Sequence, residues 1–401
     1  MQSRKYVATY VFIILLLASF GIGLWVGRIW QDPESDQVAE IVNKDNRQVE
    51  ELDFGLFWNV FDMVKDKYYA QPVDDEKLFY GAIKGMVEAT DDPYSAFMDP
   101  EETKEFEEEL DGTFEGIGIE IAIKKDRLTV VAPLEGTPAK QAGLRAGDWI
   151  VKIDDELTLD MNLNDAVRRI RGPKGSAVQL TISRDGLEDP QEYEITRETI
   201  EVKSVETAVS DDGIAVIEVS QFGNDTNREF DKAVRKVLND GARGIILDLR
   251  NNPGGLLDSA IKMSSEFIDT GVVVQEDMGG DEIIEHRADG DARLKDIPVV
   301  ILINEGSASA SEIVAGALRD QVDAQIIGQT SFGKGSVQDL ESLPQDTSLR
   351  ITVAKWLTPN GDQIDEVGIK PNHEIEMTDE DYENDRDPQM DKAYEVLKGK
   401  L

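Results

Sequence analysis

Apolar residues first gather between Val7 and Val26, a run of 20 positions without a charge, long enough to cross a bilayer core. Arg4 and Lys5 precede it, and only Arg28 follows before acids take over, so the positive-inside bias places the N-terminus in the cytoplasm and the remainder outside. No clear small-x-small cleavage site follows the apolar core and no lipobox cysteine is present, so an uncleaved signal-anchor is expected. After a polar stretch from Asp32 to Gln48, Phe54, Phe57, Phe61, Val64 and Tyr68 recur at helical spacing, predicting an amphipathic helix packed on a partner. A second helix runs through Leu78, Ile83 and Met86 and stops at the turn Asp91-Asp92-Pro93-Tyr94. The acidic run Glu101 to Glu109 reads as one more exposed helix.

The pattern then changes period. From Gly112 to Arg197 short β-rich segments alternate with glycine turns: Gly116-Ile117-Gly118-Ile119 leading into Glu120-Ile121-Ala122-Ile123, then Gly136-Thr137-Pro138-Ala139, Ala142-Gly143-Leu144 and Gly147-Asp148-Trp149-Ile150. A helix from Asn164 to Arg171 and the turn Gly172-Pro173-Lys174-Gly175 complete the series, which resembles a PDZ domain. That resemblance implies that Gly116, Ile117, Gly118 and Ile119 form a loop for a terminal carboxylate. The next strand would then add a peptide with an apolar C-terminal residue. Of the helix arginines Arg168 and Arg169, Arg168 is the candidate to sense that peptide, against the alternative of an exposed surface role for both. After Glu201, strands and helices alternate as in an α/β layer. Ile214 to Val219, Gly244 to Arg250 and Ile297 to Ile303 are strands; Asn227 to Asn239, Leu256 to Ile268 and Glu312 to Arg319 are helices.

Composition narrows the chemistry. There is no cysteine and there are two histidines, His286 and His373, isolated and without His-Glu-x-x-His spacing. Thiol catalysis and cysteine-ligated zinc are excluded, and no metal or cofactor is expected. A net charge of −39 disfavours nucleic acid and tight adhesion to anionic lipid.

What remains is a serine with an amine base. Asn304 to Glu312 is a strand end, a small-residue turn and a helix start carrying Ser307, Ser309 and Ser311, any of which could attack. Ser309 with Glu312 also matches a capping box. Gly333-Lys334-Gly335 sets one lysine between residues that let backbone approach closely, and Gln338 follows four positions on as a candidate to orient its amine. To act as a base Lys334 must be buried enough to lose its proton.

In these segments, and in Asp91 to Ser95 and Asp248 to Gly255, the chain resembles the carboxy-terminal processing (tail-specific) peptidases, serine–lysine enzymes with a PDZ domain. The resemblance implies Ser309 as nucleophile, Lys334 as general base and Gln338 as its positioning partner. The backbone N–H groups of Gly254 or Gly255 and of Ala310 would form the oxyanion hole. It further implies cleavage near the C-terminus of unfolded or tail-exposing proteins, with the PDZ module capturing the tail and gating the site. Homodimers through terminal helices occur in the family, and Pro388 to Leu401 has that amphipathic look; an adaptor or regulator is a further candidate partner. The expected architecture is a multidomain α/β chain. It comprises a transmembrane anchor at 1–30, a stalk at 31–50, a helical region at 51–111, a PDZ domain at 112–198, a protease core at 199–378, and an acidic segment with a C-terminal helix at 379–401.

Overall fold

The computed structural model describes residues 53–401, apart from 125–126, 135, 146, 160, 162, 185–188, 281, 379, 382–383 and 385. The expected anchor, Val7 to Val26, lies outside the described residues; among those described, no helix is long and apolar enough to cross a membrane. Helix α1 (Phe54–Lys67) is capped by Asp53, whose side chain accepts the Gly55 N–H at 2.8 Å. Among the described residues, none of this helix is buried.

From Asp75 onward the chain forms one unit. It opens with α2 (Asp75–Glu88), β1 (Ala96–Met98) and α3 (Pro100–Leu110), followed by β2 (Thr113–Gly116), β3 (Ile119–Lys124) and β4 (Arg127–Pro133). Next come α4 (Pro138–Ala142), β5 (Trp149–Ile153), β6 (Glu156–Leu157), α5 (Leu163–Ile170), β7 (Ala177–Ser183), β8 (Gln191–Thr196) and β9 (Glu198–Glu201). Strands β3, β4, β5, β7 and β8 lie in that order in one antiparallel sheet, which leaves β3 with a free edge. Ile117, Val130, Leu144, Ile153, Ala166, Leu180 and their neighbours fill its core.

The remaining elements are β10 (Val205–Val209), β11 (Ile214–Val219), α6 (Thr226–Asn239), β12 (Gly244–Asp248), α7 (Leu257–Ser265), β13 (Val272–Asp277), β14 (Ile283–Arg287) and β15 (Val299–Ile303). They end with α8 (Ala310–Val322), β16 (Gln325–Gly328), β17 (Ser336–Leu343), β18 (Thr347–Leu357), β19 (His373–Glu374) and α9 (Pro388–Lys398). The main sheet runs β10-β11-β12-β15-β16-β19 and is parallel from β11 onward. Its strands are apolar at consecutive positions because both faces are covered. Ile217, Ile245, Ile301 and Ile326 meet α6, α7 and α8 on one face, whereas Ile214, Ile246, Val300 and Leu302 meet Ala393 and Leu397 of α9 on the other.

The apolar face of the C-terminal helix forms that second layer, with Ala393 and Leu397 both fully buried against the sheet. A second sheet, β1-β18-β13-β14 with β17 on β18, was not expected from the sequence. It brings the far N-terminal β1 against β18, and it positions the lysine loop.

Candidate active site

Parallel pairing of β12 with β15 sets Asp248 beside Leu302, so the loops that follow the two strands leave the sheet side by side. They interlock. The Asn251 N–H donates to Asn304 Oδ1 and Asn304 Nδ2 donates to Asn251 Oδ1, both at 2.8 Å. The fully buried Asn252 donates from Nδ2 to the Val219 carbonyl at 2.7 Å and receives the Ala308 N–H on its own carbonyl at 3.0 Å.

Two of the three candidate serines are bound into this frame. The buried Ser307 hydroxyl donates to the Leu249 carbonyl at 2.8 Å, and the buried Ser311 hydroxyl to the Asn252 carbonyl at 3.0 Å. Ser309 alone is partly exposed. Its backbone stands at φ +52°, ψ −112°, a conformation that a non-glycine residue adopts only when its surroundings impose it.

Glu312 imposes it. This side chain is completely buried, and among the described residues it forms no ion pair. Its Oε2 accepts the N–H groups of Ser309 at 2.8 Å and Lys334 at 3.0 Å; its Oε1 accepts Gly333 N–H at 2.7 Å and Ser331 Oγ at 2.6 Å. Burial pushes the carboxyl above the usual glutamate range, against the downward pull of these bonds. Four donors aimed at two oxygens suit the ionised form, which is acceptor-only. The carboxylate expected as a helix cap therefore also fastens the lysine loop to the serine turn. Gly335 lets the same loop press against a different segment: a Cβ there would lie 2.1 Å from the Asp365 nitrogen.

Burial pushes the Lys334 amine below the usual lysine range, and the Arg350 guanidinium adds to the push while Glu312 opposes it. The amine sits 5.3 Å from the centre of the Tyr94 ring. A cation–π contact favours an ammonium by roughly 0.5–2 kcal/mol. Removing an ammonium from water costs several kcal/mol, so desolvation wins. Gln338 sits at a β-bulge between β17 and β18, and its amide nitrogen donates to Ser336 Oγ at 2.6 Å and to the Ser336 carbonyl at 3.3 Å. Its donor is therefore directed to Ser336 and not to Lys334.

The candidate oxyanion loop lies against the serine turn. A Cβ on Gly254 would sit 2.8 Å from Ser309 Cβ and 2.9 Å from the Ala310 nitrogen, at φ +99°, so only glycine fits. The Gly254 N–H is already given to Asn252 Oδ1 at 2.9 Å. Those of Gly255 and Ala310 have no acceptor among the described residues, and Ala310 opens helix α8.

A cleft of about 590 Å³ runs between the free edge of β3 and α5. Gly116, Ile117, Gly118 and Ile119 line it together with Leu134, Val167, Ile170 and Arg171. Arg168 is turned out of it. That side chain is 73% exposed and pairs with Asp165 one helical turn back. Helix register is the reason: Val167, Ile170 and Arg171 share a face at i, i+3 and i+4, and Arg168 does not. His286 is half-buried and hydrogen-bonds Glu276 at 2.8 Å, and His373 stands on β19 in the other sheet.

Comparison with known proteins agrees with this layout. Residues 213–375 match the model of peptidase family S41, residues 129–184 a PDZ domain, and residues 16–103 the N-terminal domain of the activating protease CtpB. The chain is 38% identical to the carboxy-terminal processing protease CtpA of Bacillus subtilis over 85% of its own length and 73% of that protein's. The chain belongs to peptidase family S41. A carboxy-terminal-processing protease of Bartonella bacilliformis is 39% identical, covering 85% of this chain and 79% of its own. Among solved structures, the photosystem II D1 C-terminal processing protease superposes with a TM-score of 0.51 at 28% identity, over 80% of this chain and 88% of that one. This S41 chain is thus a serine-type endopeptidase acting on proteins, a carboxy-terminal processing protease with a PDZ module. Sequence reasoning missed Tyr94 and Arg350 at its lysine, and saw Glu312 only as a cap.

Proposed function

We propose that this S41 peptidase cleaves proteins near their C-terminal tails through an acyl-enzyme on Ser309. Lys334 Nζ takes the Ser309 hydroxyl proton as Oγ attacks the scissile carbonyl, then gives it to the leaving amine; water releases the acyl group by the reverse route. Backbone N–H groups of Ala310 and Gly255 hold the developing oxyanion. Gln338 is the proposed positioning partner of the lysine, with its Oε1 as the acceptor, since its amide nitrogen is given to Ser336. The observation that carries the reading is the single Glu312 oxygen shared by the Ser309 and Lys334 backbones, beside an amine held below its usual range.

The PDZ module, taken as 112–198, captures a tail with an apolar C-terminal residue along the free edge of β3 and gates the core at 199–378. Val7 to Val26 anchors the enzyme, with its catalytic part extracytoplasmic. An adaptor or regulator fits the gating role. Homodimerisation would use a surface other than the α9 residues Ala393 and Leu397, which pack on the main sheet.

The test is digestion of an unstructured peptide with an apolar C-terminus by the full chain in detergent, read by mass spectrometry. Cleavage near the tail that disappears in Ser309→Ala and in Lys334→Ala supports the proposal. Undiminished cleavage by either variant refutes it.

A further inference from the structure

Tyr94, from the turn before β1, lies against the lysine amine. Glu312 of helix α8 and Arg350 of β18 act on it through their charges, and Phe106 of α3 packs on the Arg350 guanidinium. Lys334 Nζ lies 5.3 Å from the Tyr94 ring centre, and it has no hydrogen-bond or ion-pair partner among the described residues. Arg350, 256 positions away from Tyr94 in sequence, donates from Nε to the Tyr94 carbonyl at 3.1 Å, with its guanidinium 5.8 Å from the Phe106 ring centre. The turn is braced on both sides. Tyr94 N–H donates to Asp92 Oδ1 at 3.1 Å, Ser95 Oγ donates to Asp92 Oδ2 at 2.5 Å, and Thr352 N–H of β18 donates to Ser95 Oγ at 3.0 Å.

The chain has 81 acidic residues against 42 basic ones, yet Arg350 has no carboxylate partner among the described residues. Its bond is to a neutral carbonyl, so among the described residues no ion pair offsets its charge. The charged groups facing the amine are Glu312 and Arg350, while Asp92, Asp365 and Glu366 lie around the Tyr94 ring. The Glu312 charge is shared among four donors, so its pull on the amine is divided.

We propose that Tyr94 and Arg350 are positioning residues for the base: the ring keeps water from Lys334 Nζ, and the unpaired guanidinium resists a second positive charge beside it. The amine then stays neutral and able to take the Ser309 proton. Burial and Arg350 act on Lys334 in the same downward direction, which supports this. The inference rests on Lys334 being the base.

The test follows the rate of Ser309 labelling by a fluorophosphonate against pH, with the full chain in detergent and intact mass as readout, alongside kcat/KM for a tail peptide. In Arg350→Met and Tyr94→Ala the lysine regains its proton more readily. The rising limb of both profiles should move to more alkaline pH, with a loss on the order of tenfold at neutral pH that is recovered at high pH. Arg350→Lys and Tyr94→Phe should restore the limb toward its original position. A limb that stays in place while the rate falls equally at all pH values would overturn the inference, leaving only a structural role. So would equal shifts in Tyr94→Phe and Tyr94→Ala, which would assign the effect to the hydroxyl. If Arg350→Met does not fold, the Tyr94 pair decides alone. An unmodified chain that is never labelled at Ser309 refutes the serine–lysine reading itself; normal labelling with an unmoved limb refutes only this inference.

Discussion

Ser309 and Lys334 give their backbone N–H groups to the same oxygen of Glu312, at 2.8 and 3.0 Å. The serine turn and the lysine loop are therefore held by one buried carboxylate. Glu312→Gln replaces an acceptor pair with one acceptor and one donor, and the donor meets other donors. Each buried N–H left without an acceptor costs about 1–3 kcal/mol. The variant should unfold at lower urea and lose activity together; an unchanged midpoint would deny Glu312 this role.

The same residue predicts a pH slope in stability. Burial holds the folded Glu312 carboxyl above the usual glutamate range, so the folded chain binds this proton more readily than the unfolded one. Its contribution to stability is therefore full at low pH and falls as pH rises from the usual glutamate range to the raised folded value. Subtracting the stability–pH curve of Glu312→Gln from that of the unmodified chain isolates this slope. A slope of the opposite sign would mean that the four hydrogen bonds outweigh burial.

The three serines should separate by assay. Ser309→Ala should lose activity and keep its stability. Ser307→Ala and Ser311→Ala should each lose roughly 1 kcal/mol of stability from a removed hydrogen bond, and keep cleaving. Urea unfolding and peptide cleavage on the three variants check both halves.

Gly254→Ala would place a methyl 2.7 Å from the Ala308 carbonyl oxygen and 2.9 Å from the Ala310 nitrogen. The loop must then withdraw from the serine turn. We expect kcat to fall by about 10²-fold or more, the scale of losing an oxyanion donor, with KM for the tail little changed because the cleft is elsewhere.

Leu397→Ala should cost about 2–5 kcal/mol by opening a cavity beneath the main sheet, without altering the mass measured by light scattering. A change of oligomeric mass would restore the dimer role suggested by the helix's amphipathic spacing.

Local signals in the sequence carried much of the site. Gly333 and Gly335 flag a close backbone approach because no other residue tolerates it, and a strand running into Gly306 to Glu312 flags a turn at a helix start. The α/β layers follow from apolar strands alternating with helices. Contacts set by distant pairing were illegible. Tyr94 reaches Lys334 only because β1 adds to β18, a pairing that no local pattern encodes. The apolar face of α9 looks the same whether it meets a partner chain or its own sheet. Arg168 was within reach of a closer reading, since counting turns from Val167 puts Arg171 and not Arg168 in the cleft.

The most direct measurement is acid-quenched intact mass spectrometry of the enzyme during turnover of a tail peptide, with the adduct mapped by digestion. The account predicts an acyl adduct on Ser309 in the unmodified chain and none in Lys334→Ala or Ser309→Ala. An adduct on another residue, or one that forms as fast without Lys334, would contradict it.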